Sequence, residues 1–126
     1  MKLRTVARFV LAAFVITSGV LHFATPAFFI SIVPPYLPSP RALVALSGVA
    51  EIAGGVGLLL PATRRLAGIG LVLLFIAVFP ANVHMAMHHL PMNGRPVAPA
   101  LLWARLFLQP VFIAWAWWCS RAPQRA

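Results

Sequence analysis

The chain has 126 residues, 62% of them hydrophobic and 9% charged, and its ten lysines and arginines against one acidic residue give a formal charge of +9. A water-soluble domain could not hide that much apolar surface, so the composition places the chain among membrane proteins. The basic residues sit mostly at the ends of apolar segments and never form a sustained run, which argues against nucleic-acid binding. Cys119 is the only cysteine, which excludes an internal disulfide, a CxxC redox pair and a cysteine-built zinc site.

Four apolar stretches, 9–24, 42–60, 66–82 and 100–118, come within or just short of the roughly 17–25 residues that a spanning helix needs. The first follows Lys2, Arg4 and Arg8. A basic start and apolar centre also describe a signal peptide, but no convincing small-x-small cleavage site precedes Pro26, so the stretch reads as a span. Residues 26–40 hold too many prolines for a continuous helix and too many apolar residues for a solvated loop, and are expected to form a lid on the outer interface.

The second stretch carries Glu51, the only acid. Arg64 and Arg65 fill the turn to the third, and Arg121 and Arg125 follow the fourth, whose Trp115, Trp117 and Trp118 suit an interfacial aromatic belt. Short connections make neighbouring helices antiparallel. The expected fold is therefore all-α, a single integral membrane domain over 1–126 built as a four-transmembrane-helix bundle. Seven basic residues at one end, against Arg41 and Arg95 in the loops of the other, set both termini on the cytoplasmic side of a multi-pass protein of the cytoplasmic membrane.

At about 1.5 Å per residue, Glu51 lies some 15 Å from either end of its stretch, near the bilayer midplane. Ionisable groups are so costly there that function is the default reading, with a protonated or paired carboxyl that only locks helices as the alternative. Ser47, Gly48, Gly54 and Gly55 flank it, small residues that admit either a close helix or a ligand. Arg105, the only base inside a span, is the natural partner. If the two do not meet, it points to lipid phosphates or an anionic ligand. Gln109 continues its face one turn deeper. His22 closes the first helix and Asn82 and His84 close the third, so with Glu51 and Arg105 they are expected to line a polar funnel open to the outer side. The bland alternative for each histidine is a hydrogen-bonded interfacial residue.

Two histidines on different helices also admit axial haem ligation, though nothing else in the chain supports haem. The tract 84–92 gathers His84, Met85, Met87, His88, His89 and Met92. Thioethers and imidazoles suit Cu(I), and His84 and His88 share a face if the third helix extends that far. The compositional alternative is that methionine is simply common in membrane segments.

Several fragments, in order, resemble the DoxX family of small four-helix bacterial membrane proteins. They are Gly19-Val-Leu-His22-Phe with Pro26, Val33-Pro34-Pro35, Ser47-Gly-Val-Ala-Glu51-Ile-Ala-Gly-Gly, Leu60-Pro61, and Phe79-Pro80-Ala-Asn82. The resemblance implies a cytoplasmic-membrane protein linked to quinone-dependent oxidoreductase complexes. It adds weight to His22, Glu51 and Asn82 as a shared polar site, while no catalytic set carries over and independent turnover is not implied.

The expected function is an accessory or quinone-interacting subunit of a membrane redox or stress system, working with membrane or periplasmic redox partners or as a homo-oligomer. A quinone needs hydrogen-bond donors at its carbonyls and a proton route, which these residue types supply. The alternatives are a small proton-coupled transporter that uses Glu51, against which Arg105 would repel cationic substrates, and a structural assembly partner.

Overall fold

The computed structural model describes residues 2–91 and 95–121; Met92 of the His/Met tract and Arg125 among the terminal charges lie outside the described residues. The elements are α1 (Leu3–Ala24), α2 (Pro26–Ser31), α3 (Pro40–Leu59), α4 (Arg64–Met87) and α5 (Pro99–Ser120). All but α2 are long and apolar enough to cross a membrane.

Prolines set the starts. Pro26, Pro40 and Pro99 stand at the first helical positions, where their fixed φ suits the helix and the missing N–H costs nothing. Thr25 separates α1 from α2, and its backbone N–H and Oγ1 both return to the Leu21 carbonyl. The proline-rich segment is thus one short helix followed by turns, and it ends at Ser39, whose positive φ of 48° redirects the chain into α3. Between α3 and α4, Thr63 Oγ1 and Arg64 Nε donate to the carbonyls of Gly57 and Leu58, each at 2.9 Å, and close the last turn of α3.

The long helices form a ring in which α3 packs between α1 and α4, and α5 between α4 and α1. Each neighbouring pair is antiparallel: Gly19 meets Gly48 while Gly55 meets Ala12, Gly54 meets Leu71, and Gly68 meets Ser120. A Cβ on Gly19 would stand 2.7 Å from the Gly48 carbonyl oxygen, so α1 and α3 cross at a distance that only glycine allows there.

The core has two parts. At the end that gathers Arg4, Arg8, Arg64 and Arg121, it is built of Leu11, Ala12, Val15, Leu58, Leu71, Phe75, Ala116 and Cys119. At the opposite end lies a smaller cluster of Ile32, Met85, Ala86 and Leu102. The outward faces are apolar, with Phe107 76% exposed and Leu46 66% exposed, far from the polar exterior that water selects.

Two boundaries differ from the sequence expectation by more than two residues. α1 begins at Leu3, so Arg4 and Arg8 lie within the helix and not before it. α4 runs through Pro80 to Met87, five residues past the expected end at 82. Proline removes one i to i−4 bond, yet Gln109 of α5 bonds to Phe75 and Asn82 on either side of it, and the helix continues.

Candidate functional site

Between the two core clusters is a cavity of about 450 Å³, within the usual size of small-molecule sites. Its polar wall is supplied by all four long helices: Ser18 and His22 from α1, Glu51 from α3, Asn82 from α4, Arg105 and Gln109 from α5. Phe14 and Phe112, stacked with ring centroids 5.1 Å apart, bridge α1 and α5 along its lining. Ile32 and Pro34, just past α2, line it from the proline-rich segment.

The close crossing at Gly19 and Gly48 positions the α1/α3 side. His22 lies one turn past Gly19, and its Nδ1 sits 2.7 Å from the Ser18 carbonyl, which can only accept, so Nδ1 carries the proton. The ring stacks on Phe29 at 3.9 Å. Glu51 Oε2 lies 3.4 Å from the same Nδ1 but makes no hydrogen bond, because that proton is committed to Ser18. A carboxyl oxygen shut from solvent without a donor is an acceptor in search of one.

The α4/α5 side is cross-linked. Gln109 Nε2 donates to the Phe75 carbonyl at 2.7 Å, and its Oε1 accepts from Asn82 Nδ2 at 3.1 Å. Both helices carry an interior proline close by, Pro80 and Pro110, and the amide bridge ties them where their own ladders are interrupted. Arg105 Nη1 points to Met85 Sδ at 2.9 Å, leaving most of its N–H groups for other acceptors.

Four of the five residues expected at a ligand site, His22, Glu51, Asn82 and Arg105, do line one cavity. His84 does not join them: its ring lies 4.3 Å from that of His88, whose Nδ1 donates to the His84 carbonyl. Residues two apart on a helix face different ways, so Asn82 and His84 cannot share a wall. Of the two courses open to Arg105, the ion pair with Glu51 is not formed; the one carboxylate contact with a basic side chain among the described residues is His22–Glu51.

His22 and His84 are accordingly not presented to a common haem. The Cu(I) candidates diverge as well. Met85 is buried against Ile32 and Leu102, whereas Met87, His88 and His89 are exposed. No group of three or more metal-ligating His, Cys, Asp or Glu side chains occurs among the described residues. Sequence reasoning missed the aromatic lining and the Gln109–Asn82 link, although Gln109 had been placed on the Arg105 face.

The family model described as Domain of unknown function (DUF8561) matches residues 11–120, which takes in every residue of the cavity. No curated protein and no solved structure matches the chain.

Proposed function

The chain belongs to the DUF8561 family, and we propose that it is an integral membrane protein that binds a lipid-soluble ligand of quinone type in the cavity between α1, α3, α4 and α5. The observation that carries this reading is the cavity wall itself. An apolar, partly aromatic chamber in a bundle of membrane-length helices presents one unsatisfied acceptor, Glu51 Oε2, opposite a guanidinium with spare donors, Arg105.

A planar dicarbonyl compound with a hydrocarbon tail suits that chemistry. Its ring is accommodated by Phe14, Phe75 and Phe112, one oxygen accepts from Arg105, and in the reduced form the other, a hydroxyl, donates to Glu51 Oε2, which can take its proton. The fragments that resemble the DoxX family support the same assignment, with the protein as an accessory subunit beside membrane or periplasmic redox partners. In this reading the seven terminal and turn cations face the cytoplasm, both termini lie there, and the cavity opens toward the outer leaflet beneath the proline-rich segment. The bilayer in question is the cytoplasmic membrane.

A quinone analogue titrated into purified protein tests this. Saturable binding that weakens in Glu51→Gln and His22→Ala, with loss of complementation of a deletion strain by both variants, is expected. Unchanged affinity and normal complementation by both would refute it.

The unpartnered Glu51 oxygen favours one second reading, a proton-coupled exchanger. Arg105 in the same chamber weighs against cationic substrates. Substrate-driven proton flux in proteoliposomes would place the exchanger first.

A further inference from the structure

The arginine end has a property that neither the cavity nor charge asymmetry explains. Arg8 Nε donates to the Cys119 carbonyl at 2.9 Å, Arg64 Nε to Leu58 at 2.9 Å, and Arg4 Nη1 to Arg121 at 3.3 Å. These carbonyls are the orphan acceptors at the C-terminal ends of α5 and α3, so the bonds are helix caps. A cap uses one N–H, and each guanidinium has five. The three side chains are thereby held by one edge with their remaining donors directed elsewhere, and Arg4 and Arg64 are the charged neighbours of Arg8.

Arg121 caps nothing. Its guanidinium lies 3.6 Å from the Trp117 ring centroid, and its Nε and Nη2 are buried without a partner among the described residues. Arg4 lies over Trp118 in the same manner, 5.4 Å from the ring centroid. No side-chain carboxylate can answer these four cations, because the sole acid, Glu51, is seven residues from Leu58 on α3, about 10 Å along the helix.

We infer that Arg4, Arg8, Arg64 and Arg121 form a seat for the phosphate of an anionic membrane lipid, with Trp117 and Trp118 at the level of its glycerol backbone. Arg4, Arg8 and Arg64, already fixed by backbone bonds, and Arg121, held on the Trp117 ring, lose little freedom on binding, and their paired N–H groups match phosphate oxygens bidentately. Clustered basic side chains between spanning helices at one membrane face are the electrostatic form such lipid sites take. The inference rests on the proposed membrane placement and is independent of what fills the cavity.

The test is native mass spectrometry and thermal unfolding of the full chain in mild detergent, titrated in turn with phosphatidylglycerol, phosphatidylcholine and inorganic phosphate. Phosphatidylglycerol is expected to be retained about tenfold better than phosphatidylcholine, whose choline cation offsets the charge of the same phosphate and is repelled by the four guanidiniums. Arg121→Gln, which removes no helix cap, and Arg4→Gln, which removes only the longest one, are expected to fold and to lose most of that preference. Equal retention of the two lipids, or an undiminished preference in both variants, overturns the site. Displacement of phosphatidylglycerol by an equal concentration of inorganic phosphate overturns the lipid assignment, because it shows that the guanidiniums take free phosphate as readily.

Discussion

The two halves of the bundle use polar side chains in opposite ways. At the arginine end, Arg4, Arg8 and Arg64 bind backbone carbonyls and Arg121 alone keeps buried donors unpartnered among the described residues, Trp115 Nε1 reaches the Ala7 carbonyl at 3.0 Å, and the space between helices is filled by Leu11, Leu58, Leu71 and Cys119. In the cavity half, Asn82 and Gln109 bridge α4 to α5, but Glu51 keeps an unsatisfied oxygen and the helices leave a chamber of about 450 Å³. A buried polar group that is satisfied by the fold stabilises the fold, while one left unsatisfied beside empty space is available to a ligand.

The sharpest way to break this contrast is to deny the helices their crossing. Gly55→Leu puts a side chain where even a Cβ would stand 3.0 Å from the Ala12 carbonyl oxygen, and overpacking of this kind costs about 3 kcal/mol or more. Loss of folded, monodisperse protein in detergent is the expected result, and a normal melting curve would mean that the α1/α3 packing is misdescribed.

Next in size is Arg8→Gln. It withdraws the donor from the Cys119 carbonyl in a buried setting and is expected to destabilise by about 2 kcal/mol while quinone affinity stays as in the wild type. Glu51→Gln should behave the other way, with melting temperature held or raised and ligand affinity down about tenfold, as expected for one lost hydrogen bond to a charged group. If Glu51→Gln instead destabilised the protein and left binding intact, the carboxyl would be a lock between helices. The smallest effect is expected at His88→Ala, whose side chain is exposed and bonded only to its own helix, so a Cu(I) titration should show no saturable site before or after the change.

Much of this arrangement was legible in the residues. Four helices long and apolar enough to cross a membrane, and the place of Glu51 midway along the second of them, follow from apolar length, and in so apolar a chain the few polar residues inside those helices had few places to go except one another's company. His22, Glu51, Asn82 and Arg105 indeed share a chamber. Depth does not give direction around a helix axis, which is why Arg105 turns to Met85 instead of Glu51 and why His84 faces His88. Helical geometry could have excluded His84, because it is two residues from Asn82. Arg8 read as a signal of orientation since nothing local marks a side chain that folds back on the far end of another helix. Its partner is 111 positions away. Apolar length put the end of the third helix near 82, and the packing of α4 against α5, with Gln109 across the break at Pro80, carries the helix on to Met87.

Whether the chamber holds a lipid-soluble ligand decides the function proposed for it. The most direct measurement is native mass spectrometry, with an absorption spectrum of the same sample, on wild-type protein and on Ser47→Phe extracted from membranes in mild detergent. Ser47 lines the chamber one turn from Glu51, so phenylalanine there fills space without touching the arginine end. A quinone-like mass and absorbance are expected to be retained by the wild type, or restored on adding a short-chain quinone, and to be absent from Ser47→Phe at equal stability. A wild-type chain that takes up no such ligand, or a Ser47→Phe chain that takes it up equally, would contradict the proposed function.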